Sequence, residues 1–247
     1  MGYKETYNRW LTSDVVDDDT KAELKSIENN EKEIEERFYR ELEFGTAGMR
    51  GIIGAGTNRI NIYNVRRASQ GVAKYVLSNG EDAAKAGVLI GYDTRNFSRT
   101  FAEETAKVLT CAGVKTYLFP IVHSVPEVSF GIRELGCSAG VMITASHNPK
   151  EYNGYKAYWD DGAQVLAPHD KGIIDEVNAI ASAADIKFQG NPDLIQIIGE
   201  DIDKIYLDMV KTVSIDPAAI ARHKDMKIVY TPIHGTGMML IPRALKQ

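Results

Sequence analysis

The stretch Gly87-Val-Leu-Ile-Gly-Tyr92 is a continuous apolar run of strand length, and glycines bound its apolar part. Polar residues do not alternate with the apolar ones, which is typical of a strand buried on both faces, as in a parallel sheet. The polar stretch Asp93-Thr-Arg95 follows directly. The run therefore predicts a central strand of an α/β sheet, with polar side chains at its C-terminal end.

Strand and helix signals alternate on the C-terminal side of this run. Thr100 and Glu103 form a capping box, which predicts that a helix begins at Thr100. Pro126 suits the first turn of another helix, and residues 114–119 and 138–144 have the composition of strands. Three strands separated by helices of this length predict a three-layer α/β/α domain with a largely parallel sheet.

The N-terminal flank combines helical periodicity with a glycine-rich segment. Residues 17–40 are rich in Glu, Lys and Leu at helical spacing, and residues 65–77 show the same periodicity. Between them, residues 45–56 contain five glycines and are too flexible for a helix. Because such backbone can bring N–H groups close to an anion, we expect a functional loop that leads into a strand.

A hairpin is predicted after the third strand. Residues 155–159 and 164–166 flank Asp160-Asp-Gly162, which is a turn signal. Since a hairpin joins antiparallel strands, we expect a mixed sheet, and residues 168–181 are predicted to cover it as a helix.

The last part of the chain predicts a change of domain. A helix is expected over residues 202–213, then a connector over 217–225, and the apolar run 226–231 with its following glycines is typical of the opening of a new α/β unit. We therefore assign residues 1–205 to a first domain and residues 206–247 to a linker and the incomplete beginning of a second α/β domain.

Composition excludes several classes of partner. The chain has 29 basic and 34 acidic residues, a net charge of −5, and no Lys/Arg block, so we expect no nucleic-acid partner and no membrane partner. No apolar run approaches the ~18–20 residues of a membrane span. Cys111 and Cys137 lack metal-ligand spacing, which favours reduced thiols and a cytoplasmic protein. His123, His169 and His223 are predicted to be surface or cap residues.

The string Thr144-Ala-Ser-His-Asn-Pro149 carries the strongest chemical signal. It follows a predicted strand, and ligands of open α/β sheets bind beyond the C-terminal ends of strands. Ser146 offers a hydroxyl, while His147 and Lys156 offer protons or positive charge. On spacing alone, a polar turn with a hydrogen-bonded histidine remains an alternative.

This string resembles the phosphoserine signature of the α-D-phosphohexomutases, the phosphoglucomutase/phosphomannomutase family. Three further strings resemble family motifs in the same order, and the resemblance extends from about Phe44 to Gly237. These strings are Gly45-Thr-Ala-Gly-Met-Arg-Gly51, Gly91-Tyr-Asp-Thr-Arg95 and Asn153-Gly-Tyr-Lys156. Asn58-Arg-Ile-Asn61 and Pro232-Ile-His-Gly-Thr-Gly237 are similar to the branch with bacterial phosphoglucomutases and phosphopentomutases.

The resemblance implies a phosphorylated Ser146 that exchanges a phosphoryl group with phosphorylated sugars through a bound sugar bisphosphate. Lys156 is then the general acid/base, Arg50 and Arg95 are fixed positive charges, and His147 assists proton movement or positions the phosphoryl group. The implied substrate-binding residues are Thr46, Arg50, Asn148 and Lys156.

The resemblance also implies Mg²⁺, bound by a phosphoryl oxygen on Ser146 and by an Asp-x-Asp-x-Asp loop. The chain contains no such loop, so we expect the remaining ligands beyond the chain end. Asp160 and Asp161 belong to the predicted hairpin turn and are expected to face solvent. We therefore expect the 247-residue chain to be inactive, or nearly so, on its own.

Three other functions are alternatives to the mutase assignment. Gly136-Cys-Ser-Ala-Gly140 matches the serine-hydrolase pattern, but Ser138 precedes its strand instead of following it. Residues 51–56 have glycines in the order Gly-x-x-Gly-x-Gly, which is not the dinucleotide-binding pattern. A non-catalytic sugar-phosphate-binding or assembly module with the same fold remains open.

Overall fold

In the computed structural model, which describes residues 2–247, six strands form one sheet in the order β1-β5-β4-β2-β3-β6. The strands are β1 Gly48–Ile52, β2 Val88–Tyr92, β3 Thr116–Leu118, β4 Ala139–Ile143, β5 Tyr152–Trp159 and β6 Ile195–Ile197. The helices are α1 Tyr3–Thr12, α2 Asp18–Ser26, α3 Glu31–Phe38, α4 Ile62–Ser78, α5 Glu81–Ala86, α6 Ser98–Cys111, α7 Val125–Glu134, α8 His169–Asn178, α9 Glu200–Thr212, α10 Pro217–Arg222 and α11 Ile241–Lys246.

The sheet is mixed and largely parallel, as predicted. Strands β2, β3, β4 and β6 run parallel, whereas β5 is antiparallel to both β1 and β4. Strand β6 was not predicted, because it has three residues and its side chains are largely exposed, which leaves little apolar signal. The hairpin after β5 is reduced to a bridge between Tyr158 and Gln164.

Helices cover both faces of the sheet, which confirms the three-layer architecture. Val88 and Ile90 of β2 pack on one face with α4, α6 and α8, while Leu89 between them packs on the other face with α7 and α9. Successive strand residues point to opposite faces, so an uninterrupted apolar strand builds both cores at once. Burying each such side chain contributes about 1.5–3 kcal/mol.

The three N-terminal helices form a separate apolar cluster that supports the segment after β1. Arg37 of α3 donates to the Ala55 carbonyl at 3.1 Å, and Glu23 of α2 accepts the Ala55 N–H at 3.1 Å. Helices α2 and α3 were predicted, whereas α1 was not. Together the helices fix where the glycine-rich segment leaves the sheet, and β1 lies inside that segment.

Helix α6 begins at Ser98, two residues earlier than predicted, so the prediction that a capping box at Thr100 begins this helix is wrong. Phe97 is the N-cap residue, with φ of 63°, and the Ser98 N–H donates to the Arg95 carbonyl at 3.1 Å. This tight turn starts the helix, and Thr100 lies within its first turn.

The predicted strand over residues 226–231 is also wrong. In the described part of the chain this segment has no hydrogen-bonded neighbour strand, and Val229 is 97% exposed. A strand requires a pairing partner to satisfy its backbone groups, so the apolar pattern alone does not form one. Helix α10 occupies the predicted connector. The division at residues 205/206 stays a prediction, although α9 continues across it.

None of the helices formed by residues 2–247 has the length and apolar character needed to cross a bilayer.

Candidate active site

The loop between β4 and β5 presents Ser146 to solvent. Ser146 adopts φ of 56°, in the left-handed region, and its side chain is exposed. Such a conformation costs a residue with a Cβ about 1–2 kcal/mol. The Ser146 N–H donates to Thr144 Oγ1 at 3.0 Å, which helps to hold the conformation. The loop thus presents a hydroxyl at the C-terminal edge of the sheet.

A buried hydrogen-bond network ties this loop to the end of β2. Thr144 Oγ1 donates to Asp93 Oδ2 at 2.6 Å, and Ser98 Oγ donates to Asp93 Oδ1 at 2.7 Å. Asn153 in turn donates to Ser98 Oγ at 2.9 Å. Because Thr144 also accepts the Ser146 N–H, the Asp93 carboxylate fixes the residue that orients Ser146. Sequence reasoning did not select Thr144, Ser98 or Asn153 for this role.

The Arg95 guanidinium is directed at the backbone of the same loop. Its Nη atoms donate to four carbonyls, and its Nε lies 3.5 Å from Asp93 Oδ2. An arginine has five N–H donors, so the loop uses most of them. The hydrogen bonds of Arg95 therefore position the loop, and its role as a positive charge for the phosphoryl group stays a prediction. The acceptors are Ser146 O at 2.7 Å, Asn148 O at 2.6 Å, Pro149 O at 2.8 Å and Tyr152 O at 3.1 Å.

Arg50 and Lys156 lie on the same face of the β1–β5 ladder. Arg50 pairs with Gly154, and Lys156 lies two residues further along β5. Arg50 donates to Asn148 Oδ1 at 2.8 Å, which joins β1 to the Ser146 loop. Burial lowers the pKa of Lys156, the Arg50 charge lowers it further, and Asp93 opposes both effects. A lysine with a lowered pKa exchanges a proton more readily near neutral pH.

Glycine at position 154 allows β5 to approach the loop closely. A Cβ on Gly154 would lie 2.6 Å from the Thr144 carbonyl oxygen and 3.0 Å from that of Met49. Both distances are below ordinary contact, so no other residue fits without a shift of backbone.

The remaining predicted residues differ in how they relate to Ser146. His147 is exposed, and its Nδ1 lies 3.4 Å from Ser146 Oγ, so the two are neighbours as predicted. Thr46 is exposed in the turn between Gly45 and Gly48 and does not line the cavity beside Ser146. Arg50 and Lys156 do not line that cavity either, whereas Arg95, His147 and Asn148 line it together with Ser146.

An open cavity of about 680 Å³ lies beside Ser146. Its lining includes Thr94, Lys150 and His234, which sequence reasoning did not select. Thr94 donates a hydrogen bond to the His234 carbonyl, so the C-terminal segment forms one wall. The signal for His234 was present in the string 232–237, whereas Lys150 is an ordinary charged loop residue by sequence.

The described residues around Ser146 do not form a magnesium site. Asp93 is the one carboxylate among the cavity-lining residues of 2–247, and it already accepts from Thr144, Ser98 and the Arg95 N–H. Asp160 and Asp161 are exposed in the turn after β5, as predicted. Mg²⁺ is usually held through one or two carboxylates, and the described residues at this loop offer no carboxylate that is free to bind it.

Three side chains that could ligate a metal lie together elsewhere, in the interior. They are His123, Glu127 and Asp203. The prediction that His123 is a surface or cap residue is wrong, because it is 1% exposed. Its partner Asp203 is 80 positions away in the sequence, so spacing gave no sign of the contact.

Comparison with known proteins matches residues 41–184 to the family described as phosphoglucomutase/phosphomannomutase, alpha/beta/alpha domain I. The chain is 39% identical to a "Probable phosphoribomutase" of Schizosaccharomyces pombe, over 98% of the chain and 42% of that protein. It is 38% identical to a phosphoglucomutase of Staphylococcus haemolyticus, over 86% of the chain and 38% of that protein. The chain thus spans about two fifths of the length of these relatives.

A crystal structure of pp63/parafusin, a Paramecium phosphoglucomutase in its open form, shares the fold. The TM-score is 0.59 at 18% identity, over 81% of the chain and 40% of that protein.

Proposed function

Because the chain belongs to the phosphoglucomutase/phosphomannomutase family, we propose that it supplies the phosphoryl-carrying serine of a phosphosugar mutase. The observation that carries this proposal is the exposed Ser146 hydroxyl, held at the sheet edge by Thr144 and Arg95 beside an open cavity. Phosphoryl transfer depends mainly on positioning and charge neutralisation, and this loop is built for both.

In the proposed reaction, phosphorylated Ser146 transfers its phosphoryl group to a hydroxyl of a sugar monophosphate. The bond from phosphorus to Ser146 Oγ breaks, and a bond from phosphorus to the sugar oxygen forms. The sugar hydroxyl proton passes to a base, and the released Ser146 Oγ takes up a proton to become a free hydroxyl. The resulting bisphosphate turns round and returns its other phosphoryl group to Ser146. Each step conserves one phosphoryl group, so the net change is an isomerisation between the sugar 1-phosphate and the 6-phosphate, or the 5-phosphate of a pentose.

Lys156 is the proposed general acid/base, and its lowered pKa supports this role. Arg50 places a positive charge beside the loop and is anchored through Asn148. His147 is next to Ser146 Oγ and is proposed to assist proton movement. We retain Thr46 as a proposed substrate contact, which requires a ligand large enough to reach the turn after Gly45.

Sugar phosphates are the proposed partners. The names of the relatives include both a pentose and a hexose mutase, so we propose the class of substrate and not one sugar. The alternative, a sugar-phosphate-binding module without turnover, shares the same cavity. A cytoplasmic location is also proposed, on the basis of the free thiols of Cys111 and Cys137.

Magnesium is the proposed metal of the complete site, with the phosphoryl group on Ser146 as one ligand. Among residues 2–247, the one carboxylate at this cavity is Asp93, which is already engaged in hydrogen bonds and is not a proposed ligand.

The test is a single half-reaction, the transfer of one phosphoryl group from a sugar bisphosphate to Ser146, because full turnover is not expected of the 247-residue chain. The chain is incubated with glucose 1,6-bisphosphate, and phosphopeptides are mapped by mass spectrometry. We expect phosphate on Ser146, its loss in Ser146→Ala, and no change in Ser214→Ala, which removes an exposed serine outside the cavity. Binding of glucose 1-phosphate by calorimetry without any phosphoserine would favour the non-catalytic module.

A further inference from the structure

A buried cluster at the contact between α7 and α9 has the chemistry of a metal site. His123 lies just before α7, Glu127 is in its first turn, and Asp203 is in the first turn of α9. The three are 1%, 0% and 3% exposed. His123 Nε2 lies 3.1 Å from Asp203 Oδ1 and 3.9 Å from Glu127 Oε1, and one ligand atom of each residue lies within 4.8 Å of the others.

Glu127 is the unexplained member of this cluster. Both of its carboxylate oxygens are buried and have no hydrogen-bond partner. A buried polar group without a partner costs about 1–3 kcal/mol, and more when it is charged, so such groups usually mark a missing ion, water or proton.

The orientation of His123 points to a cation between the side chains. Its Nδ1 lies 2.8 Å from the Ile121 carbonyl oxygen, which only accepts, so Nδ1 carries a proton. In the neutral imidazole, Nε2 then carries a lone pair and is an acceptor, and it faces the acceptor Asp203 Oδ1. Two acceptors do not face each other at 3.1 Å unless a proton or a metal cation lies between them. A histidine that ligates a metal typically gives its other N–H to a carbonyl in this way.

We propose that His123, Glu127 and Asp203 bind one divalent cation of the zinc type, separate from the phosphoryl-transfer loop. One imidazole with two carboxylates suits Zn²⁺, whereas Mg²⁺ takes oxygen ligands. Ligand bonds of 2.0–2.2 Å in a tetrahedron place ligand atoms roughly 3.4 Å apart, close to the separations of His123 Nε2 from its two neighbours.

The site would join α7 to α9. Arg243 of α11 pairs with Asp203 Oδ2, which leaves Oδ1 directed at His123. Val125, at the start of α7, lines the cavity beside Ser146, so a cation here would stiffen one wall of that cavity. The role is structural, and it does not depend on the proposed mutase reaction.

The competing explanation for the cluster is that it holds no metal and is neutralised by two protons, one on His123 Nε2 and one on Glu127. The test is titration of the tag-free, EDTA-treated chain with Zn²⁺, followed by calorimetry and by metal analysis after gel filtration. We expect one Zn²⁺ per chain and a rise in the melting temperature. Glu127→Gln and Asp203→Asn should each weaken binding at least tenfold, because metal ligands dominate affinity.

The matched controls are His223→Ala and Asp208→Asn, which alter an exposed histidine and an exposed α9 carboxylate and should bind like the parent. X-ray absorption spectroscopy at the zinc edge of the parent chain needs no variant. We expect the ligands of the bound Zn²⁺ to be one imidazole nitrogen and carboxylate oxygens. No retained Zn²⁺, equal affinity in Glu127→Gln, or a shell containing sulfur would overturn the proposal in favour of the protonated cluster.

Discussion

Thr144 donates its hydroxyl proton to Asp93 Oδ2 at 2.6 Å and accepts the Ser146 N–H at 3.0 Å. The conformation of the proposed phosphate carrier therefore depends on a carboxylate that is buried at the end of the neighbouring strand. This contact joins the ends of β2 and β4 through residues that are 51 positions apart in the sequence. It connects the Ser146 loop to the buried hydrogen-bond network around Asp93.

Replacing Asp93 with Asn should disturb both stability and Ser146 phosphorylation. Asp93 accepts from three donors, whereas an amide offers one oxygen and turns its NH₂ group toward donors. We expect a loss of about 1–3 kcal/mol in the free energy of unfolding, measured in urea, and slower transfer from glucose 1,6-bisphosphate. Asp160→Asn, at an exposed turn position, is the control and should change neither. Unaltered stability in Asp93→Asn would contradict the network.

Arg95→Lys should loosen the Ser146 loop while it keeps the positive charge. A single ammonium cannot reach the four carbonyls that the guanidinium contacts. We expect faster amide hydrogen exchange over residues 146–152, with little change in the core strands. Arg99→Lys, in an exposed i,i+4 pair, serves as the control. If exchange stays at the parent rate, Arg95 acts through its charge alone.

The Lys156 amine should titrate below the exposed lysines. Burial and the Arg50 charge lower its pKa, so Arg50→Gln should raise it toward the ordinary value. We expect NMR of the reductively methylated chain to show both effects. Lys171 is the internal control, because Asp175 raises its pKa and Arg50→Gln should leave that pKa unchanged. A pKa in Arg50→Gln equal to that of the parent would contradict the assigned cause.

The lowered pKa of Lys156 also determines how the free energy of unfolding changes with pH. A lysine whose folded pKa is lowered binds its proton less tightly in the folded chain than in the unfolded one. Its unfavourable contribution is therefore full below the folded pKa and disappears as pH rises toward the unfolded pKa. Lys156→Met should remove this part of the pH dependence, measured by urea unfolding between neutral and alkaline pH.

Gly154→Ala should destabilise the chain through steric conflict. The added methyl group would meet two backbone carbonyls, which cannot rotate away. We expect a loss of about 1–3 kcal/mol, measured by urea unfolding. Gly45→Ala, where the nearest atom would lie at 3.5 Å, is the matched control. Equal stability of the two variants would show that β5 can move away from the loop.

The strands of the sheet were predictable to different degrees. Residues 87–92 and 138–144 were found because a continuous apolar run is a local signal of a strand buried on both faces. Strand β6 was missed because an exposed edge strand of three residues is defined by its hydrogen bonds to β3. The strand expected over residues 226–231 shows the converse, since an apolar run that pairs with no neighbouring strand does not form a strand.

The candidate site was predictable in composition but not in arrangement. The string 144–149 and the two arginines were identified from three motifs, each of which is a short contiguous stretch of sequence. The use of the Arg95 guanidinium on loop carbonyls was not, because its acceptors are 51 to 57 positions away. The neighbourhood of Lys156 and Arg50 likewise follows from the pairing register of β1 and β5.

The amino-acid sequence by itself determined the alternation of strands and helices between residues 87 and 144 and placed Ser146 after a central strand, because these depend on short-range periodicity and turn chemistry. Only the tertiary structure decided that Asp93 orients the serine loop and that His123 meets Glu127 and Asp203 in the interior. Those contacts join residues from separate elements, and their geometry is set by strand register and helix packing, which no local pattern encodes.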